Sequence, residues 1–137
     1  METQPYLFFE GRCEEAAAYY HDALGAEISM LMRYKESPEP PPPGIVPPGS
    51  ENKIMHCTLR IGDTTIMASD GLCSGQPSFK GFSLSLNLAD ETLAERYFDA
   101  LADGGNVDMP MEKTFWAPRF GMVSDRFGVQ WMINVTE

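Results

Sequence analysis

Two stretches of the sequence set side chains capable of chemistry on a regular spacing. In Ile54–Ile61, Met55, Cys57, Leu59 and Ile61 alternate with His56, Thr58 and Arg60, the pattern of a strand with one apolar and one polar face. An imidazole can accept or donate a proton near neutral pH, which makes His56 the candidate catalytic residue. No Ser or Cys nucleophile stands beside it in a motif, and its plainer role is a hydrogen-bonded histidine in a pocket wall. Asp70 is either a turn-capping carboxylate or the partner of His56. The second stretch is Thr114–Val135. There Trp116 and Arg119 fall at the open end of a hairpin, where an aromatic plate and a guanidinium could hold a planar or acidic ligand. Edge packing and a solvated cation are their alternatives.

The elements that must position these groups follow from periodicity. Thr114–Val135 holds two apolar runs, Phe115–Val123 and Val129–Val135, around the turn Asp125-Arg126-Phe127-Gly128, and predicts a β-hairpin. Along the second run Trp131, Ile133 and Val135 share one face, and Gln130, Met132 and Asn134 the other. Tyr6–Phe9 reads as a strand and Glu14–Leu24 as a helix, with Cys13, Ala16, Ala17, Tyr20 and Leu24 on one side and Gly25 at its end. Glu27–Tyr34 is extended. Lys35–Lys53 contains Pro38-Glu-Pro-Pro-Pro-Pro-Gly44 and Pro47-Pro48-Gly49, which exclude a helix or an interior strand. It is expected to be a surface connector, partly mobile and of polyproline II type, or else a recognition element or a flap over a pocket mouth. Ile54–Ile61 and Thr64–Ser69 form a hairpin through Gly62-Asp63. The order then repeats: a strand from Gly81, a helix capped by Asp90 and ended by Gly104-Gly105, and strands at Val107–Met111, Phe115–Val123 and Val129–Val135. Tyr19-Tyr20-His21-Asp22-Ala23-Leu24-Gly25 echoes Tyr97-Phe98-Asp99-Ala100-Leu101. The chain reads as an α+β protein made of a duplicated β-α-β-β-β unit.

The bulk numbers remove several classes of function. Twenty acidic against ten basic residues give a net charge of −10 with no Lys/Arg cluster, which argues against nucleic acid and anionic membrane as partners. Cys13, Cys57 and Cys73 lack CxxC spacing and are odd in number, so buried reduced thiols are expected rather than a disulfide framework or a zinc knuckle. No run of residues has the length and apolarity of a membrane span, and Met1–Leu7 lacks the basic start and apolar run of a signal peptide. The expected location is cytoplasmic.

The ordered set Pro5-Tyr6-Leu7-x-Phe9-x-Gly11, Tyr19-Tyr20-x-x-x-Leu24-Gly25-Ala26-Glu27, Ile54-x-His56, Ser69-Asp70 and Thr114-Phe115-Trp116-Ala117-x-x-Phe120-Gly121-x-Val123-x-Asp125-x-Phe127-Gly128-x-x-Trp131-Met132-Ile133-Asn134 spans nearly the whole chain. It resembles the PhnB-like group of the vicinal oxygen chelate superfamily, which includes glyoxalase I, bleomycin-resistance proteins and extradiol dioxygenases. The resemblance implies one glyoxalase-like domain over residues 1–137, with module one at about 1–75, its Pro-rich loop at 35–53, and module two at about 80–137. Curved mixed sheets would surround a cavity, with a helix on each convex side. PhnB-like sequences have also carried a ubiquinone methyltransferase label, but nothing here has the Gly-rich strand-to-helix turn of a nucleotide-like methyl donor site.

Under that fold Tyr6/Phe8, Met55/Cys57/Leu59, Phe82/Leu84/Leu86 and Trp131/Ile133 are expected beneath the helices. The ligand-binding wall is expected to comprise Leu7, Phe9, His56, Thr58, Arg60, Met67, Ser69, Ser83, Ser85, Trp116, Arg119, Met132 and Asn134. The superfamily's four metal positions carry over to Pro5, Met67, Ser83 and Met132, with Asp70 or Phe82 reached by a slip of a few residues. These are poor donors for a hard divalent ion, so no metal or other cofactor is expected. The expected function is small-molecule binding in a homodimer. The alternative is a lyase, isomerase or dioxygenase type of enzyme that uses His56, with or without a divalent metal.

Overall fold

Apolar residues at helical spacing and at alternate strand positions give two helices, each laid on one face of a four-stranded sheet, and the arrangement occurs twice. The computed structural model describes residues 1–137. Its chain divides into two units, Met1–Pro77 and Ser78–Glu137. The first contains β1 (Tyr6–Phe8), α1 (Cys13–Leu24), β2 (Glu27–Arg33), β3 (Ile54–Ile61) and β4 (Thr64–Ser69). Its sheet order is β1-β4-β3-β2, with β1 parallel to β4 and the other pairs antiparallel. The second contains β5 (Leu84–Leu88), α2 (Glu91–Ala102), β6 (Asn106–Glu112), β7 (Arg119–Ser124) and β8 (Gln130–Val135), in the matching order β5-β8-β7-β6. Identical strand orders with one helix each make this a duplicated α+β module fold.

In unit 1, α1 buries Cys13, Ala16, Ala17, Tyr20 and Leu24. It ends because Gly25 turns left-handed, with φ 69°, and its amide donates to His21 O. The sheet answers with Leu7, Ile54, Cys57, Leu59, Ile66 and Ala68. Cys13 and Cys57 meet as free thiols in this layer; the hydrogen bond that Cys13 donates to Cys57, together with burial, pushes the Cys13 thiol up. In unit 2 the Asp90 carboxylate accepts from Leu93 N at 3.0 Å and starts α2, as its position before the apolar run predicts. Phe98 of that helix lies on β7 at Gly121. A Cβ there would come within 2.8 Å of the Phe98 ring and 2.7 Å of Met111 Sδ, so the glycine permits the close approach.

Three features differ from the sequence expectation. The faces of β1 are reversed: Leu7 and the following Phe9 are buried on the α1 side, with Phe9 6.2 Å from Tyr20, whereas Tyr6 and Phe8 look the other way. Leu7 and Phe9 are therefore core residues and not part of a ligand wall. Phe82 precedes β5 and is exposed rather than held under a helix. β7 begins only at Arg119, so residues 115–118 of the expected strand Phe115–Val123 lie outside it. The Pro-rich loop is an exposed connector as expected, tied at its base, where Tyr34 N donates to Lys53 O and Lys35 N to Glu51 O, each at 2.9 Å. The Tyr34 hydroxyl donates to Gly71 O and the buried Ser50 hydroxyl to Pro47 O. The loop folds around a groove of about 320 Å³ lined largely by its own prolines.

Candidate functional site

Each sheet has a second face that no helix of its unit covers, and strand alternation places most of the expected site residues there. In unit 1 the pairing Tyr6–Met67, Met67–Thr58 and Thr58–Met30 sets one row across all four strands. Beside it His56 pairs with Met32, and Phe8 with Ser69. His56 uses both ring nitrogens within this surface. Nδ1 lies 3.1 Å from the Tyr6 hydroxyl and Nε2 lies 3.1 Å from Thr58 Oγ1. Ser69 is buried, and its Oγ accepts from Gly71 N. Arg60 is ion-paired with Glu27 at 3.0 Å, both being exposed.

Asp70 is not the partner of His56. Its carboxylate is buried, with Oδ1 accepting from Gly11 N at 2.9 Å and Cys13 N at 2.8 Å and Oδ2 accepting from Ile54 N at 2.7 Å. One side chain thus fastens the start of α1 and the start of β3 to the end of β4. The turn-capping alternative is the one the structure adopts.

In unit 2 Ser85, Met132 and Met122 line up across β5, β8 and β7, followed by Asn87, Asn134 and Phe120. Ser83 lies just before β5 on the same alternation. Asn134 Nδ2 donates to Asn87 Oδ1 at 3.2 Å. Its Oδ1 is buried and accepts no hydrogen bond, an arrangement that costs free energy unless a donor arrives. Thr114–Ala117 closes a turn, Thr114 N donating to Ala117 O and Ala117 N to Thr114 Oγ1, which projects two aromatic rings. Phe115 is 97 % exposed and Trp116 54 %. Trp116 contacts Phe115 and Phe120 edge-on, at 4.8 and 5.1 Å between centroids. Lys113–Pro118 and Asn134–Glu137 enclose a cleft of about 590 Å³.

Arg119 does not join this surface. β7 turns it toward α2, where it is ion-paired with Glu95 and lies 3.7 Å from Glu91 Oε1. Its expected role in ligand binding is replaced by an electrostatic tie between strand and helix. Tyr6, Phe120 and Asn87 are members of the two surfaces that periodicity alone did not bring forward. Tyr6 was hidden by the reversed face of β1. Asn87 continues the Ser83, Ser85 alternation, which could have found it.

The superfamily's metal does not fit the residues present. Pro5 offers only its carbonyl, which accepts from Met67 N at 3.0 Å; Met67 and Met132 carry thioethers and Ser83 a weak hydroxyl. The slip position Asp70 has its oxygens occupied by amides, and no three His, Cys, Asp or Glu residues converge. A nucleotide-like methyl donor fits no better. The amides of Gly11 and Cys13 at α1 are taken by Asp70 and that of Leu93 at α2 by Asp90, which leaves neither strand-to-helix turn as an open amide cradle. No helix is long and apolar enough to cross a membrane.

Known proteins resemble the chain over its full length. The family model described as 3-demethylubiquinone-9 3-methyltransferase matches residues 1–134. Protein YjdN of Escherichia coli (strain K12) is 41 % identical over 144 residues, covering 100 % of this chain and 97 % of that protein. The crystal structure of PA1353 from Pseudomonas aeruginosa is 43 % identical with a TM-score of 0.84, over 98 % of this chain and 97 % of that one. A putative 3-demethylubiquinone-9 3-methyltransferase, PhnB protein, from Bacillus cereus is 25 % identical with a TM-score of 0.81, over 99 % and 100 % of the two chains. The fosfomycin resistance protein FosX from Listeria monocytogenes shares the fold alone, at 11 % identity and a TM-score of 0.65 over 100 % of this chain and 93 % of that one.

Proposed function

The chain belongs to the 3-demethylubiquinone-9 3-methyltransferase family, a PhnB-like group of the vicinal oxygen chelate superfamily with the glyoxalase fold, and from that premise we propose that it binds a planar small molecule in the cleft of unit 2. The observation that carries this reading is the unpaired buried Oδ1 of Asn134 beside the projected ring of Trp116. A flat ligand with an N–H or O–H donor satisfies both: its ring packs on the indole, and a turn of the Asn134 side chain brings the amide oxygen to its donor. This binding uses no metal. The activity in the family's description is not carried over, because the helix starts do not offer the amides it would call for.

Of the two tryptophans, Trp131 is buried in the core, so a fluorescence change on ligand addition reports on Trp116. Titration with benzimidazole and adenine should quench that emission and raise the unfolding temperature by mass action. Trp116→Ala should weaken binding about tenfold, roughly 1.4 kcal/mol, without changing the fold. A panel of planar donors that leaves both signals unmoved would sink the reading.

We also infer a homodimer. Ile28 on the edge strand β2 and Val107 and Met109 on the edge strand β6 are exposed, and an apolar edge is a surface that proteins cover by pairing. Sedimentation at micromolar concentration should give twice the chain mass. A monomer there counts against the inference.

A further inference from the structure

Phe115 holds a phenyl ring almost wholly in water. The turn that presents it is fixed by the bonds between Thr114 and Ala117, and Trp116 meets the ring edge-on at 4.8 Å. A ring held in place this way loses little freedom on docking, and its burial removes roughly 150–250 Å² from water. Phe115 also borders the unit 2 cleft, but the ligand reading there rests on Trp116 and Asn134 and does not use it.

Unit 1 offers a surface of the matching kind. The Pro-rich loop encloses its groove of about 320 Å³ with Tyr34, Pro41, Pro42, Val46 and Pro47 among the lining residues, a space at the small end of the range for binding pockets and suited to one ring. Prolines have no side-chain rotamers to lose, and their flat apolar rings are what aromatic side chains pack against when polyproline segments are recognised. The groove is preformed: Ile45 N donates to Pro42 O at 3.2 Å, and Ser50 Oγ donates to Pro47 O at 2.7 Å. Charge agrees with shape. Lys35 and Glu51 stand on the rim of the groove and Glu112 and Lys113 at the stem of the aromatic turn; all four are exposed, and none is ion-paired within its own chain.

We propose that Phe115 of one chain docks in the proline groove of a second copy, and that the two copies make this contact reciprocally. Each copy then gives one ring and receives one, so the assembly closes at two chains. Two such rings cover several hundred Å², short of the roughly 1,200–2,000 Å² of a stable interface, so the contact is an anchor within the inferred homodimer and rests on that inference.

Sedimentation and directed crosslinking test it together. Phe115→Ala should raise the dimer dissociation constant about thirtyfold, the loss expected of an aromatic anchor seated in a pocket. Its far-UV spectrum should match that of the parent, because the exposed ring supports no core. In a Cys73→Ser background, a Phe115→Cys chain mixed with a Val46→Cys chain and mildly oxidised should form a disulfide between the two chains. Asp63→Cys, exposed in the β3–β4 turn at the far end of β3 from the loop, should not crosslink when it replaces Val46→Cys. A parent that sediments as a monomer overturns this contact and the homodimer together. A dimer of unchanged affinity in Phe115→Ala, or no link between the two introduced thiols, overturns the contact and leaves the homodimer standing. A ladder of larger species overturns the reciprocal arrangement.

Discussion

Asp70→Ala should lose about 3–5 kcal/mol of folding free energy, a large part of what a domain of this size commands. The carboxylate accepts three backbone amides, those of Gly11, Cys13 and Ile54, and is itself almost wholly buried. Removing it leaves those donors facing a small cavity, and each buried donor without a partner costs about 1–3 kcal/mol, less whatever water can recover. Urea unfolding should show the midpoint falling sharply with little change in slope. His56→Ala is the comparison. It removes a partly buried ring from the uncovered face, and a loss of about 1 kcal/mol is expected from its hydrogen bonds. If Asp70 were instead a functional partner of His56, the two variants would impair function alike and neither would unfold the chain. Near-equal stability of parent and Asp70→Ala would overturn the structural assignment.

Trp131→Ala should cost a similar amount, about 3–5 kcal/mol, for a different reason. Its indole is the largest fully buried side chain and sits near the start of β8, so truncation opens a cavity under α2. Its Nε1–H also donates to Asp125 Oδ2 at 2.9 Å, while Asp125 Oδ1 accepts from Phe127 N and Val129 N and shapes the β7–β8 turn. Trp131→Phe separates the two contributions. It retains most of the apolar volume and removes the indole donor, so a smaller loss of about 1–2 kcal/mol is expected. Calorimetric unfolding of both variants checks this, and equal losses would show that the hydrogen bond and not the packing dominates.

Local residue pattern set the order of elements, the duplication and most of the faces. Wherever polar and apolar residues alternate, as in Ile54–Ile61 or Gln130–Val135, the pleat has one way to bury its apolar half, and the strands lie where the alternation puts them. Gly25 and Asp90 likewise marked a helix end and a helix start through chemistry that acts within a few residues. The stretch Tyr6-Leu7-Phe8-Phe9 has no such contrast. All four side chains are apolar or aromatic, so local pattern could not tell its faces apart; docking on α1 chose Leu7 and Phe9 for the core and left Tyr6 free to meet His56. Tertiary structure also decided the fate of the charged groups. Arg119 found Glu95 on α2, and Asp70 found amides as distant in sequence as Gly11 and Cys13. These pairings join groups brought together only when helix packs on sheet, and a bond of that range leaves no periodic trace in the residues between its partners.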